Sequence, residues 1–374
     1  MENTSNTDAG NFSKDAHIRK AENMIASVEM FAVPVICLLG LTGNTFSIVV
    51  FTRKCLRSKS CSVFLAARSF SDNGFLITLL VMWISSVFGL QLSRIDGVCR
   101  VIVFLTYVFG CLSVWLMVFV TIENYIRVCK PFMVNKLCNT STAKYAVILL
   151  FVIVICCYNF PLWTMAEQCA PHPNHHNILK IMQYVDSLFT LFVPIAVMSF
   201  LVFRIVVSSV VLYERRRRLS SVSSQISNDL TMKVKTMLLA VILIFIILNL
   251  PLHVVRIRLI VISFIKDQID ITTPIDVIVQ SIAQLIYYLS LTVNFIVYYL
   301  FGGLFRRTFI GLLCGRGKNP PAQANYSAFI ALRTRNIRNC YKPALNDRLG
   351  NNSLSNTSSK DFPEKESSDK SAAT

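Results

Sequence analysis

CRVIVFLTYVFGCLSVWLMVFVTIENY, running from Cys99 to Tyr125, decides the fold. No charged residue lies between Arg100 and Glu123. At 1.5 Å per residue, a helix of that length spans roughly 33 Å, enough to cross the ~30 Å hydrocarbon layer of a bilayer. Helices buried in a soluble core are seldom so long or so apolar. Six further segments share the pattern, and the set reads as 27–52, 61–88, 98–128, 143–165, 181–212, 231–264 and 275–301. The expected fold is an all-α membrane protein, a seven-transmembrane helix bundle.

Composition supports this. Hydrophobic residues make up 54% of the chain and charged residues 15%, well below the ~25% charge usual in a soluble domain. The net charge of +17 is strongly basic, but its placement argues against nucleic acid as a partner. Basic residues recur in alternate loops: Arg53, Lys54, Arg57 and Lys59; Lys130 and Lys136; Arg215 to Arg218; Arg306 and Arg307. Positive residues stay on the cytoplasmic side. With seven spans, the N-terminus is then outside and the tail inside, in a multi-pass protein of the plasma membrane. The first residues are polar with no signal-peptide pattern, so span one is expected to act as its own insertion signal.

The chain divides into an extracellular N-terminus (1–26), the bundle (27–301), a short amphipathic eighth helix (302–314) and a polar tail (315–374) expected to be disordered. Asn3 and Asn11 head glycosylation sequons on the outer side. Asn139 and Asn325 head others, which should stay unmodified in the cytosol. Of the 12 cysteines, this topology leaves only Cys99 and Cys169 in extracellular segments, the obvious pair for a disulfide. In the eighth helix Phe305, Phe309, Leu312 and Leu313 share an apolar face, Arg306 and Arg307 meet membrane lipid headgroups, and Cys314 is a candidate for palmitoylation. Proline interrupts the spans at Pro34, Pro161, Pro194 and Pro251.

The order of landmarks resembles the rhodopsin-like (class A) G-protein-coupled receptors over about 27–314. Gly43-Asn44 matches the GN pair of span one, and Asp72 the buried aspartate of span two. Cys99 stands at the expected distance before Asn124, the centre of the DRY position. Pro161, Pro194 and Pro251 match the prolines of spans four, five and six, and Asn294 to Tyr298 stands at NPxxY. The chain also departs from the pattern. Asn124 replaces the arginine of DRY, Asn249 the tryptophan of CWxP, Phe295 the proline of NPxxY, Phe151 the tryptophan of span four and Val202 the tyrosine of span five. By resemblance the activation switches are Glu123, Asn124, Tyr125, Phe245, Asn249, Pro251 and Tyr298. Arg127, at i+3 from Asn124, either substitutes for the missing arginine or simply faces headgroups; the second is the simpler reading.

The same resemblance implies a site for an allosteric sodium ion around Asp72, formed with Ser113, Ser290 and Asn294, and no other cofactor. Asp72 reads as the one clear charge at membrane depth. Thr106 stands where amine receptors carry an aspartate, so a biogenic amine is disfavoured, and span seven has no lysine to make an opsin. The positions implied for the ligand pocket are Thr106, Tyr107, Asp186, His253, Arg256, Gln280, Gln284 and Tyr288. Arg256 can bind a carboxylate or amide carbonyl, Asp186 can pair with it or take a ligand's basic group, and Arg258 is a weaker candidate. Polar groups spread over a wide mouth suit a peptide. The runs Phe64–Arg68 and Asn249–Arg256 resemble invertebrate-type neuropeptide receptors.

The resemblance implies a heterotrimeric G protein and arrestin as inner partners. Arg217-Arg218-Leu219-Ser220 is a basophilic-kinase pattern, and tail serines such as Ser353 and Ser355 are candidate phosphosites. No catalytic constellation stands out: His172, His175 and His176 lie in an outer loop without a full set of metal partners. A transporter or channel would carry inverted repeats and several midplane charges. A non-peptide ligand, or a decoy or scaffold with weak G-protein coupling, are the remaining alternatives.

Overall fold

A computed structural model describes residues 3–90, 95, 97–165, 176–218, 225–265 and 274–314. Seven helices are long and apolar enough to cross a membrane: Glu22–Phe51, Ser60–Val87, Val98–Cys129, Thr140–Thr164, Tyr184–Leu212, Leu238–Leu259 and Ile275–Thr292. They are spans one to seven below. No strand occurs among the described residues. Spans one and two, two and three, one and seven, three and five, and six and seven pack against each other. The outer faces leave large apolar side chains bare, among them Phe31 at 71%, Phe203 at 65% and Ile247 at 64% exposure. A belt of this kind is what lipid tails cover, so the chain is a multi-pass membrane protein.

Several spans continue past the hydrocarbon. Span one belongs to a helix running Asn3–Phe51, so the polar N-terminal residues extend the same helix. Span six belongs to a helix running Gln225–Ile265. Span four is capped at its start by Asn139, whose side-chain oxygen accepts from the Thr142 amide at 2.7 Å. Its helix stops at Cys157, and Pro161 opens a separate turn, Pro161–Thr164, rather than kinking a continuous helix. A proline suits a first helical position because its missing N–H would have no partner there. In span five a π-helical turn, Leu188–Phe192, precedes Pro194, which has no N–H to continue the α-helical ladder.

The heptahelical core has close approaches at small residues. A Cβ at Gly43 would stand 3.0 Å from the Phe295 Cβ, so glycine lets spans one and seven touch. Next to it the Asn44 amide donates to the Leu291 carbonyl at 3.0 Å. Span seven ends at Thr292, and after Val293 the helix resumes as Asn294–Phe301. A non-helical Gly302 then turns the chain through 103° into the eighth helix, Gly303–Leu313. Phe305 is 1% exposed and packs on Phe51 (5.1 Å) and Tyr298 (5.6 Å), while Phe309 packs on Phe295 (5.2 Å). The expected apolar face is thus divided. Phe305 and Phe309 join the protein core, whereas Leu313 is left exposed, beside an exposed Cys314.

Candidate functional site

Toward one end of the bundle, spans three to six bring together one aromatic and polar group. Tyr107 of span three stacks on Tyr158 of span four with centroids 6.0 Å apart, and packs on Phe160 at 5.2 Å. The Tyr158 hydroxyl donates to Asp186 Oδ1 of span five at 2.8 Å. Arg256 of span six is exposed, and its charge acts on both Asp186 and Tyr107. His253, one turn earlier, is 6% exposed, and its Nδ1 has no hydrogen-bond partner. A carboxylate thus sits on an aromatic floor, within electrostatic reach of a guanidinium. Such a surface offers a counter-ion to a basic group and a planar donor to a carbonyl.

The other expected pocket residues lie elsewhere. The Thr106 hydroxyl reaches the Ile102 carbonyl (2.8 Å) and the Thr78 hydroxyl (3.1 Å), which turns it toward span two. Gln284 donates to the Tyr288 hydroxyl at 2.6 Å, and Tyr288 is buried with Phe75, Val33 and Ile36 between spans one, two and seven. Gln280 is exposed. Tyr287 packs on Phe75 at 5.6 Å and feels the charges of Arg256, Asp72 and Asp186, so it links the Asp186 and Asp72 groups. Arg258 is held by an ion pair with Asp276 at the start of span seven. Tyr158, Phe160 and Tyr287 escaped the sequence reading. Their signal there was aromatic character beside Pro161 and Tyr288, too common to single out.

The middle of the bundle holds a correction. Asp72 is not the one deep charge. Arg68, one turn earlier on the same helix face, is fully buried, and its Nε lies 3.9 Å from Asp72 Oδ2. Asp72 also accepts from Ser113 through Oδ1 and from Asn294 Nδ2 through Oδ2 at 2.9 Å. Asn294 Oδ1 in turn accepts from Arg68 Nη1 at 3.0 Å. Ser290, expected beside Asp72, donates to the Tyr287 carbonyl of its own helix at 2.7 Å. The Arg68 guanidinium carbon lies 4.9 Å from the centre of the Phe245 ring.

At the C-terminal end of span three, Arg127 does not simply face headgroups. Its Nε donates to Glu123 Oε1 at 2.9 Å, and its Nη2 to the same oxygen and to Ser60 Oγ at 3.1 Å. Ser60 donates to Glu123 Oε1 at 2.6 Å, tying the start of span two to the end of span three. Asn124 is fully buried, and neither its amide oxygen nor its nitrogen has a partner. It therefore does not take over the pairing that its neighbour makes. Tyr125 is half-buried. In span six the Asn249 amide donates to the Phe245 carbonyl at 2.7 Å, two residues before Pro251. The Tyr298 hydroxyl is buried beside the Arg68 guanidinium.

Cys99 is disulfide-bonded, while Cys169 lies outside the described residues, as do Ser220, His172, His175 and the tail. The side chains of Asn3, Asn11, His176 and Arg215 to Arg218 are likewise outside them. Among the described residues no group of three His, Cys, Asp or Glu side chains could hold a metal ion.

The model of the seven transmembrane receptor (rhodopsin family) matches residues 43–298. An FMRFamide peptide receptor of Caenorhabditis elegans is 31% identical over 138 residues, covering 34% of this chain and 31% of the relative. The FMRFamide receptor of Drosophila melanogaster is 25% identical over 332 residues, covering 80% of this chain and 56% of the relative. The chain thus spans between about a third and little more than half of the length of these relatives.

Proposed function

Because the chain belongs to the rhodopsin family of seven-transmembrane receptors, a receptor family rather than an enzyme family, we propose that it is a neuropeptide receptor of the plasma membrane. Its N-terminus is outside and its tail in the cytoplasm. It binds a peptide of the FMRFamide type and passes the signal to a heterotrimeric G protein. Both relatives are named for FMRFamide, a name that spells Phe-Met-Arg-Phe closed by an amide. Such a peptide carries one basic side chain and a neutral, carbonyl-bearing end. The observation that carries the reading is the Tyr158–Asp186 hydrogen bond at 2.8 Å with the Arg256 charge beside it. Asp186 takes the peptide's basic group, Arg256 donates to its terminal carbonyl, and Tyr107, Tyr158 and Phe160 supply the apolar contact. Bound peptide favours one of two bundle arrangements by contact energy alone, with span six moving about Pro251.

G-protein dissociation in cells expressing the full chain, screened against amidated neuropeptides with surface level measured in parallel, tests this. A saturable response is expected, lost in Arg256→Ala and Asp186→Asn at unchanged surface level. A well-expressed chain that stays silent for every peptide sinks the reading. A decoy or scaffold role has one observation in its favour, the buried and unpartnered Asn124. Asn124→Arg separates the two: a large gain of coupling belongs to a decoy, little change to a competent receptor.

A further inference from the structure

Arg68 is the largest fully buried polar side chain of the described bundle, and it sits where four spans meet. It belongs to span two. It donates through Nη1 to Asn294 of the span-seven segment (3.0 Å) and lies 3.6 Å from Met117 Sδ of span three. Its guanidinium also faces the Phe245 ring of span six. Guanidinium does not give up its proton in a protein, so this is a permanent positive charge. An isolated charge at membrane depth is strongly disfavoured and needs a partner. The partner is Asp72, at 3.9 Å from Nε. Asn294 joins the two, donating to Asp72 and accepting from Arg68. With Asp72 ionised, the cluster pairs one negative with one positive unit.

A sodium ion does not fit this arrangement. Hard oxygen ligands must converge on such an ion, whereas here the Asp72 carboxylate is hydrogen-bonded to Ser113 and Asn294 and ion-paired with Arg68. Ser290 donates its hydroxyl proton to the Tyr287 carbonyl. The charge is decisive. A second cation about 4 Å from the guanidinium, at an effective permittivity of about 20, is disfavoured by roughly a thousand-fold in occupancy. That removes the larger part of the attraction that Asp72 would supply at contact distance.

We propose that Arg68 is a tethered cation that takes the place of sodium in the Asp72 cluster, so that the resting bundle is indifferent to sodium. Arg68 Nε and Nη2 have no hydrogen-bond acceptor, so the guanidinium meets Asp72 as a charge partner at 3.9 Å. The inference does not depend on which ligand opens the receptor.

Thermal unfolding of the purified full chain, in sodium chloride and in choline chloride at equal ionic strength, tests it. The wild-type midpoints coincide in the two salts. Arg68→Met keeps the length of the side chain and removes its charge. This variant exposes Asp72 to a mobile cation, and its midpoint rises in sodium relative to choline. Arg68→Lys keeps a cation and stays indifferent. A wild-type midpoint that rises in sodium over choline, with the difference lost in Asp72→Asn, overturns the proposal. That comparison needs no arginine variant to fold.

Discussion

Replacing Arg127 by methionine separates two physical pictures of the C-terminal end of span three. If Arg127 faced headgroups, its loss would cost at most ~1 kcal/mol, the value of an exposed ion pair. In the structure its guanidinium makes two bonds to one oxygen of Glu123 and a third, 3.1 Å, to Ser60. The Glu123 side chain is 5% exposed and that of Arg127 27%. Removing one partner of a fully buried pair costs about 3–5 kcal/mol, because the other charge is stranded. Arg127 is only partly shielded, and Ser60 still donates to the stranded carboxylate, so solvent and that bond reduce the figure to about 2 kcal/mol. At roughly 2 °C per kcal/mol for a domain of this size, the unfolding midpoint of purified Arg127→Met should fall by about 4 °C. A double-mutant cycle with Glu123→Gln should give a coupling of about 1–2 kcal/mol. An unchanged midpoint, or a coupling near zero, would show that the pair contributes nothing and that the headgroup picture was right.

Three further outcomes follow from the same geometry. Ser60→Ala deletes the donor 2.6 Å from Glu123 and should destabilise by about 1.5 kcal/mol, with Ser60→Thr restoring the midpoint because it keeps the hydroxyl. Phe305→Ala empties a site 1% exposed between Phe51 and Tyr298, and should cost about 3 kcal/mol and lower surface expression; normal levels of both would mean that the eighth helix is not docked by this ring. Tyr158→Phe removes the hydroxyl that holds Asp186 but keeps the ring on Tyr107, so peptide potency should fall by about ten-fold while stability changes by under ~1.5 kcal/mol. A potency equal to wild type would place the ligand away from Asp186.

Much of this was legible before any coordinates. An apolar run of membrane length is a local property, so the seven spans needed no partner to be read, and their order carried the likeness to a receptor family. Boundaries moved where local signals compete: Pro161 begins a turn instead of bending a helix, and span seven breaks after Thr292. Arg68 stood in plain view four residues before Asp72, but a charge inside a span has no meaning without its neighbours. Asn294 and Phe245, the groups that give it one, lie far along the chain. Arg127 was weighed from its spacing to Asn124, yet its pairing follows its i,i+4 relation to Glu123 and the approach of Ser60 from another span.

The sequence by itself determined the membrane fold, the placement of basic loops, and the set of polar residues that had to find partners in an apolar solvent. Each follows from hydrocarbon thickness and the free energy of charge in lipid, which act residue by residue. Only the tertiary structure decided which polar residue met which. It turned Tyr288 and Thr106 toward span two, and gathered Tyr107, Tyr158 and Asp186 at one end of spans three to five. It set Arg68 beside Asp72 and joined the two through Asn294. The reason is that hydrogen bonds and ion pairs act over a few ångströms. Neighbours at that range across a bundle are fixed by how the helices turn and pack, which spacing along one helix does not contain.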